Sequence, residues 1–191
     1  PQRAVQVVPI GLSPAVLKTP TNPTPLLSEP YLLTVGSRQP HKNVTRLWEA
    51  LALLHQRGMR IALVMPGFVP NPEELSHLSR MDLSHKVFFP GKVTESDLLT
   101  WIDHARLLVH PSLYEGFGLP PLEALARGVP ILVSKAGSLP EVLGPHGRFF
   151  DPNSSEDMAR QIALALEDRL WSQEELEQAR KQLELQLRSL T

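Results

Sequence analysis

Two glutamates, Glu115 and Glu123, lie eight positions apart around a glycine-containing loop. The loop follows a short apolar run, residues 106–110, and leads into a segment with helical character, residues 123–128. A strand, a glycine loop and a helix start in this order can bind an anion, because backbone N–H groups and the helix dipole converge there. A carboxylate can also accept hydrogen bonds from both hydroxyls of a vicinal diol. The spacing therefore predicts one ligand, carrying phosphates and hydroxyl groups, that contacts both glutamates and the amides between them.

The residues around the two glutamates make this pattern more specific. Tyr114 precedes the first glutamate, Pro120 and Pro121 precede the second, and Ala-Leu-Ala-Arg-Gly-Val-Pro follows Glu123 into another apolar run. The whole string resembles the Glu-x7-Glu signature of the family 4 glycosyltransferases, retaining enzymes with two facing Rossmann-like domains (the GT-B architecture). The resemblance implies that this chain corresponds to the C-terminal, donor-binding half of such an enzyme.

A second loop supplies cations. Gly36 ends an apolar run and is followed by Arg38 and Lys42. In the resembled family a lysine just before an asparagine contacts the donor diphosphate, and residues 40–43, Pro-His-Lys-Asn, match that loop except for histidine where arginine is common. When the bond from sugar to diphosphate breaks, negative charge develops, and cationic side chains must neutralise it if no metal does so. The resemblance therefore implies catalytic roles for Arg38, Lys42 and Glu115, without a metal or a cofactor. The structural alternative for each cation is a solvated loop side chain.

The resemblance also divides the ligand among the residues of the site. It implies that Glu115 holds the donor sugar and Glu123 the ribose, while the glycines let the backbone approach closely. Val93, after the third predicted strand, would form a wall for the base, with ordinary core packing as the alternative. His110, at the end of a strand, is predicted to be structural rather than catalytic. The full predicted nucleotide-sugar-binding set is Gly36, Arg38, Lys42, Val93, Glu115, Gly116, Phe117, Gly118, Leu119 and Glu123.

The elements that must position these loops alternate along the chain. Apolar runs predict strands at residues 31–36, 61–65, 86–89, 106–110, 129–133 and 147–150. Apolar residues at helical spacing predict helices at residues 44–57, 72–78, 95–102 and 154–170 and from 173 onwards, with Asn43 and Thr94 as N-caps of two of them. This alternation favours an α/β fold, a Rossmann-like parallel sheet with helices on both faces, and by resemblance one half of a GT-B architecture. Such sheets place ligands at their carboxyl edge.

Proline content marks a domain boundary near residue 30. Five prolines between residues 14 and 30 favour an extended connector, and residues 7–11 are similar to the segment through which family members enter this domain from the interdomain side. We predict a proline-rich leading segment at 1–30 and a nucleotide-sugar-binding domain at 31–191. The chain begins at Pro1 rather than Met, which we interpret as a piece of a longer protein that lacks its N-terminal acceptor domain here. In the last helix, the turns from about Leu183 are expected to be poorly covered.

Composition excludes several classes of function. The 191 residues are 42% hydrophobic, enough for one sizeable core. A formal net charge of −1 gives no electrostatic footprint for nucleic acid. Cysteine is absent, which excludes disulfides and thiolate metal sites. No apolar run approaches the roughly 18 residues of a membrane span. With the resemblance, these features predict a cytoplasmic location, with the whole enzyme able to associate peripherally with the inner face of the membrane.

Three functions are compatible with these residues. The first is metal-independent, retaining transfer of a sugar from a nucleotide-diphosphate sugar, with GDP-mannose favoured, to a polysaccharide or glycolipid acceptor. The whole enzyme would then be a hexosyltransferase, specifically a mannosyltransferase, and the isolated domain would be inactive. The second is a glycoside hydrolase that uses Glu115 and Glu123 as acid and nucleophile, which in retaining hydrolases stand about 5 Å apart. The third is a non-catalytic nucleotide-sugar-binding module. The nucleotide, the sugar and the acceptor stay open.

Overall fold

The computed structural model describes residues 12–13, 15–17 and 26–188, without the side chains of residues 184 and 186–188. Most of the predicted leading segment 1–30, including the run 7–11, lies outside the described residues. The division of the chain at residue 30 stays a prediction.

Six short strands form one parallel sheet in the order β3-β2-β1-β4-β5-β6. The strands are β1 (Tyr31–Leu33), β2 (Ala62–Val64), β3 (Val87–Phe88), β4 (Leu107–His110), β5 (Ile131–Ser134) and β6 (Phe149–Phe150). Leu33 of β1 lies opposite Val64 on one side and Leu108 on the other. The strand order reverses between β1 and β4, so the loops that follow these two strands border the crevice in which open α/β sheets bind ligands.

Seven α-helices connect and cover the strands in the part of the chain that the structure describes. They are α1 (Val44–Gln56), α2 (Pro72–Arg80), α3 (Glu95–Asp103), α4 (Leu119–Ala126), α5 (Leu139–Leu143), α6 (Ser155–Leu166) and α7 (Gln173–Arg188). Single 3₁₀ turns occupy Pro40–Lys42 and Gly144–His146. Thr94 caps α3 as predicted: its side chain accepts the Asp97 N–H, and the Asp97 side chain accepts the Thr94 N–H.

The core lies on both faces of the sheet. Successive strand residues point to opposite faces. Accordingly, Leu32 packs in a cluster with α1 and α6, whereas Leu33 packs in a second cluster with α4 and α7. Both leucines are fully buried, and strands buried on both faces read as continuous apolar runs. The predicted α/β class, with helices on both faces of a parallel sheet, is confirmed.

The last helix docks on the domain itself. Leu176 and Ala179 of α7 are buried in the cluster that contains α4, and Leu183 is half-buried against the same cluster. The expectation of poor cover from Leu183 is therefore wrong at that residue. Leu185 is 69% exposed. The side chains of residues 186–191 lie outside the described part of the chain, so the expectation of poor cover stays a prediction there.

Candidate functional site

Two loops that start 77 positions apart, after Leu33 and after His110, meet at the carboxyl edge of the sheet. The Leu113 N–H donates to the carbonyl oxygen of His41 at 2.7 Å, which links the loop after β4 to the 3₁₀ turn before α1. The residues on either side of this link, Lys42 and Glu115, are therefore brought into one site.

Asn43 ties this site together, and it is the N-cap residue of α1, as the sequence predicts. Its backbone is left-handed, with φ 56° and ψ 31°, and its side chain makes no cap hydrogen bond to α1. The side-chain Nδ2 instead donates to the carbonyl oxygens of Pro111 at 3.1 Å and Pro152 at 2.8 Å. Asparagine tolerates the left-handed region better than most residues. One amide group thus fixes the lysine loop against the loops after β4 and β6.

Lys42, Glu115 and His110 form the polar centre of the site. Lys42 Nζ lies 2.7 Å from Glu115 Oε2, and His110 Nε2 lies 3.0 Å from the same oxygen. The side chains of Lys42 and Glu115 are 20% and 18% exposed, so a ligand at the surface can reach them. His110 is buried, and Ser112 Oγ lies 3.2 Å from its Nε2. Lys42 and Glu115 are both predicted site residues, whereas the sequence predicts only a structural role for His110.

The charge state of Glu115 follows from these contacts. The hydrogen bond from His110 and that from Lys42 together outweigh the effect of burial and lower the Glu115 pKa from 4.5 to about 2. Glu115 is therefore a carboxylate at neutral pH. It can accept hydrogen bonds from a ligand, but it cannot donate a proton to one.

The loop after Glu115 depends on glycine at two positions. Gly118 precedes α4 with φ +78°, and a Cβ there would lie 2.5 Å from Cδ2 of Leu139. Gly137 has φ +58°, and a Cβ there would lie 3.1 Å from both the backbone N and O of Glu115. Ser138 Oγ also lies 2.9 Å from the carbonyl oxygens of Glu115 and Gly116. The segment after β5 thus fixes the backbone that carries the carboxylate.

Backbone donors are grouped at the start of α4. The N–H groups of residues 116–119 donate to no acceptor in the described part of the chain. Pro120 and Pro121 occupy the first turn and have no N–H to offer. The free donors at this helix start are therefore concentrated in the loop residues Gly116 to Leu119, beside Glu115.

Glu123 lies apart from this centre, on the first turns of α4. It is half-buried, and burial raises its pKa, with a further increase from the charge of Glu95 at the start of α3. Its side chain forms no hydrogen bond or ion pair with any described residue.

Arg38 is bound to α2 and to the loop after β2. Its Nε and Nη2 donate to the carboxylate of Glu74 at 2.7 and 3.2 Å, and Nη1 and Nη2 donate to the carbonyl oxygens of Phe68 and Val69 at 2.6 and 2.8 Å. Its guanidinium carbon lies 5.2 Å from the centre of the Phe89 ring. Through these contacts Arg38, on the loop after β1, holds together the loop after β2 and α2. The structure therefore does not bring Arg38 to the polar centre, and its predicted contact with a diphosphate stays a prediction.

The remaining predicted residues lie around the same edge of the sheet. Gly36 follows β1 with φ +138°, and its carbonyl oxygen would lie 3.7 Å from a Cβ at Gly67, so the loops after β1 and β2 are close neighbours. Val93 and Phe117 are half-buried against the core cluster that contains α4. Their side chains contribute to packing, and their predicted contacts with a nucleotide-sugar stay predictions.

Other kinds of site find little support. No group of three or more His, Cys, Asp or Glu side chains that could hold a metal ion occurs among the described residues. Within the same residues, no helix is both long and apolar enough to cross a membrane. A cavity lined by Lys42 and His110 has a volume of only about 10 Å³, enough for about one water. A larger ligand must therefore lie outside it, against the exposed sides of Lys42 and Glu115.

Comparison with protein families and curated proteins gives consistent matches. Residues 22–184 match the family described as "Glycosyl transferases group 1". The serotype-specific mannosyltransferase WbdA of Escherichia coli is 33% identical over 153 residues, which cover 78% of this chain and 19% of that protein. The O-antigen chain mannosyltransferase B of Escherichia coli is 36% identical over 144 residues, 74% of this chain and 38% of that protein. The chain thus spans less than two fifths of the length of these relatives.

A solved structure matches the fold. Anabaena Alr3699/HepE, solved in complex with UDP and glucose, superposes with a TM-score of 0.81 at 21% identity, covering 97% of this chain and 54% of that one. At this identity the match concerns the fold alone. Nearly the whole chain therefore superposes on about half of that longer chain.

Proposed function

The chain belongs to the group 1 glycosyl transferases and is a domain of their GT-B fold, and on that premise we propose that its carboxyl-edge site binds the nucleotide-diphosphate sugar donor. The observation that carries this proposal is the 2.7 Å contact between Lys42 Nζ and Glu115 Oε2 beside free backbone N–H groups. A cation, an anionic acceptor and unpaired amides in one place match a ligand with both phosphates and hydroxyls.

In the proposed complex, the diphosphate lies between Lys42 and the free amides of residues 116–119. The ammonium and the amides supply positive charge from opposite sides, and the start of the α4 helix adds its dipole. When the bond between sugar and diphosphate breaks, these groups neutralise the charge on the leaving nucleoside diphosphate. Because the ammonium of Lys42 and these amides supply the neutralising charge, we propose that transfer needs no divalent ion.

The two glutamates have separate tasks in this complex. Glu115 is anionic, and its Oε1 makes no hydrogen bond in the described part of the chain. This oxygen can therefore accept hydrogen bonds from hydroxyl groups of the donor sugar. Glu123 is half-buried with no described partner, and the ribose diol would supply the hydrogen bonds that its carboxylate lacks. Val93 and Gly36, on the loops after β3 and β1, would border the base and the phosphates.

The relatives favour a particular sugar. Two of them, at 33% and 36% identity, are named as mannosyltransferases, one of an O-antigen chain. We therefore propose a mannosyl donor, with GDP-mannose as the first candidate, and a polysaccharide or glycolipid acceptor. Retention of configuration, a cytoplasmic location and acceptor binding by an N-terminal domain belong to the same proposal. On this account the 191-residue chain binds donor but transfers little or no sugar alone.

The hydrolase alternative receives less support from the geometry. A retaining hydrolase places its two carboxylates close enough to raise the pKa of one of them. The like charge that raises the Glu123 pKa is that of Glu95. Glu115 is an anion whose charge is balanced by Lys42. A non-catalytic module would share the donor site, so only turnover by the full-length enzyme separates it from a transferase.

A thermal-shift panel tests the proposal. The 191-residue chain is heated with GDP, UDP and ADP, each with and without attached sugar, in the presence of chelator. A ligand that binds only the native state raises the midpoint of unfolding. We expect GDP-mannose to give a clear increase without a divalent cation. No shift with any member of the panel at millimolar ligand would contradict donor binding by this domain.

A further inference from the structure

His110 is the buried member of the polar centre. It ends β4, is 2% exposed and places Nε2 3.0 Å from Glu115 Oε2. Its other ring nitrogen, Nδ1, is buried and has no hydrogen-bond partner in the described part of the chain. A buried imidazole at a strand end could serve packing alone, but its contact with a ligand-facing carboxylate indicates a further role.

The contacts of His110 define which nitrogen carries the proton. A carboxylate can only accept hydrogen bonds, so Nε2 must be the donor to Glu115. The proton of the His110–Glu115 hydrogen bond is therefore on Nε2. Ser112 Oγ, 3.2 Å from Nε2, helps to hold the ring in this orientation.

Two donors share one oxygen of Glu115. Lys42 and His110 both approach Oε2, so Oε1 stays free for a ligand. The two donors differ in mobility, because Lys42 is a flexible, partly exposed side chain and His110 is enclosed by the sheet. A bound diphosphate would attract the ammonium of Lys42 but would leave the imidazole in place.

We propose that His110 is a positioning residue that keeps the Glu115 carboxylate aimed at the donor sugar after Lys42 has turned to the diphosphate. This inference rests on the proposed donor site and adds a division of labour to it. Lys42 acts on the diphosphate, whereas His110 acts on the sugar through Glu115. His110 should therefore affect the affinity for nucleotide-sugar but not that for free nucleotide.

Two variants of the 191-residue chain test this role. His110→Phe keeps a ring of similar size but removes the N–H donor. His110→Gln keeps an N–H near the position of Nε2. The ligands are GDP and GDP-mannose, titrated calorimetrically into each variant and into the native chain. Thermal unfolding of each variant, measured in parallel, establishes that it is folded.

We expect His110→Phe to lower the affinity for GDP-mannose by about ten-fold or more, the usual effect of losing one hydrogen bond to a charged group. The affinity for GDP should change by less than about two-fold. His110→Gln should restore most of the lost affinity for GDP-mannose. Equal losses for both ligands in His110→Phe, or no loss for GDP-mannose, would overturn the positioning role while leaving donor binding intact. If the native chain binds neither ligand, the proposed function fails, and this inference fails with it.

A spectroscopic measurement tests the same inference without a variant. Nitrogen-15 resonances of the ring distinguish a protonated from an unprotonated nitrogen. We expect the His110 ring to show a protonated Nε2, the nitrogen that faces Glu115. A proton on Nδ1, with Nε2 bare, would leave Glu115 without its imidazole donor and would overturn the proposal.

Discussion

Lys42 Nζ lies 2.7 Å from Glu115 Oε2, although 73 positions separate the two residues in the chain. The cation assigned to the diphosphate and the carboxylate assigned to the sugar therefore form an ion pair. On the proposed function, a donor that draws Lys42 to its diphosphate breaks this pair, so we expect the pair to lower the affinity for any phosphate ligand that needs Lys42. This competition makes the two residues separable by experiment.

Replacement of Glu115 should affect the two kinds of ligand in opposite directions. Glu115→Gln releases Lys42 from its partner, so GDP should bind equally well or up to about five-fold more tightly, as a partly exposed ion pair worth about 1 kcal/mol allows. GDP-mannose should bind about ten- to a hundred-fold more weakly, because a charged acceptor for the sugar is lost. Calorimetric titration of both ligands measures the two constants.

Glu123→Gln is the matched control, since it should weaken both ligands alike if Glu123 holds the ribose. Equal losses for GDP and GDP-mannose in Glu115→Gln would remove Glu115 from the sugar.

Acid should destabilise the native chain partly through Glu115. Its pKa in the folded state, about 2, is below the ordinary value of 4.5. Its contribution to stability is therefore complete above about pH 4.5 and is lost as the pH falls toward 2. Urea unfolding at a series of pH values should show the advantage of the native chain over Glu115→Gln shrinking between about pH 5 and pH 3.

Glu123 should show the opposite sign. Burial raises its pKa, so its charge is a cost to the fold that appears as the pH rises. Glu123→Gln should stabilise the unliganded chain at pH 7 and lose that advantage in acid. Parallel stability curves for the native chain and both variants would contradict these charge assignments.

Much of the fold could be predicted because local rules and tertiary structure agree. The strand at residues 31–36 and the strand at residues 106–110 were recognisable as apolar runs, and all six predicted strands occur in one parallel sheet. Burial on both faces produces that pattern directly. The strands are shorter than predicted: β1 ends at Leu33, although the Thr34 N–H still donates to the carbonyl oxygen of Val64 in β2.

The site was less predictable, because its contacts join residues far apart in sequence. Residue type and spacing indicated Lys42 and Glu115 but could not show that they pair. Arg38 carries the same charge as Lys42, yet its guanidinium forms an ion pair with Glu74, 36 positions later in the chain. Asn43 is a residue type that favours N-caps and does occupy the N-cap of α1, but its side chain donates to carbonyl groups of two distant loops instead of capping the helix. For His110, the short segment His-Pro-Ser before Glu115 was the available signal, and only the folded sheet gives it a partner.

Alanine at three glycines before and after α4 should lower the free energy of unfolding by different amounts. Gly118→Ala combines a left-handed backbone with a 2.5 Å approach to Leu139, and we expect a loss of about 2–4 kcal/mol in the free energy of unfolding. Gly128→Ala meets nothing within 4 Å at φ +75° and should lose about 1 kcal/mol. Gly116→Ala, in open space without positive φ, should change stability by less than about 0.5 kcal/mol. Chemical denaturation provides the values, and equal losses at all three positions would contradict the packing described for Gly118.

Arg38 should act on stability more than on ligand binding. Arg38→Ala leaves the Glu74 carboxylate and two carbonyl groups without their donor, so we expect a loss of about 2–3 kcal/mol. Arg46→Ala is the control, since its pair with Glu49 is exposed and should contribute less than about 0.5 kcal/mol. Urea unfolding measures both. Unchanged stability in Arg38→Ala together with a large loss of GDP affinity would instead place Arg38 on the diphosphate.

The central claim, that Lys42 and the loop at Glu115 bind the donor diphosphate, is tested most directly by calorimetric titration of GDP-mannose, in chelator, into the native chain and Lys42→Gln. Lys86→Gln serves as the control, because Lys86 precedes β3 at the opposite edge of the sheet and pairs only loosely with Glu29 at 3.8 Å. We predict that Lys42→Gln weakens binding by about ten-fold or more, the effect expected for a charge-assisted hydrogen bond, whereas Lys86→Gln leaves the dissociation constant unchanged. Equal affinity for GDP-mannose in the native chain and in folded Lys42→Gln would contradict the account.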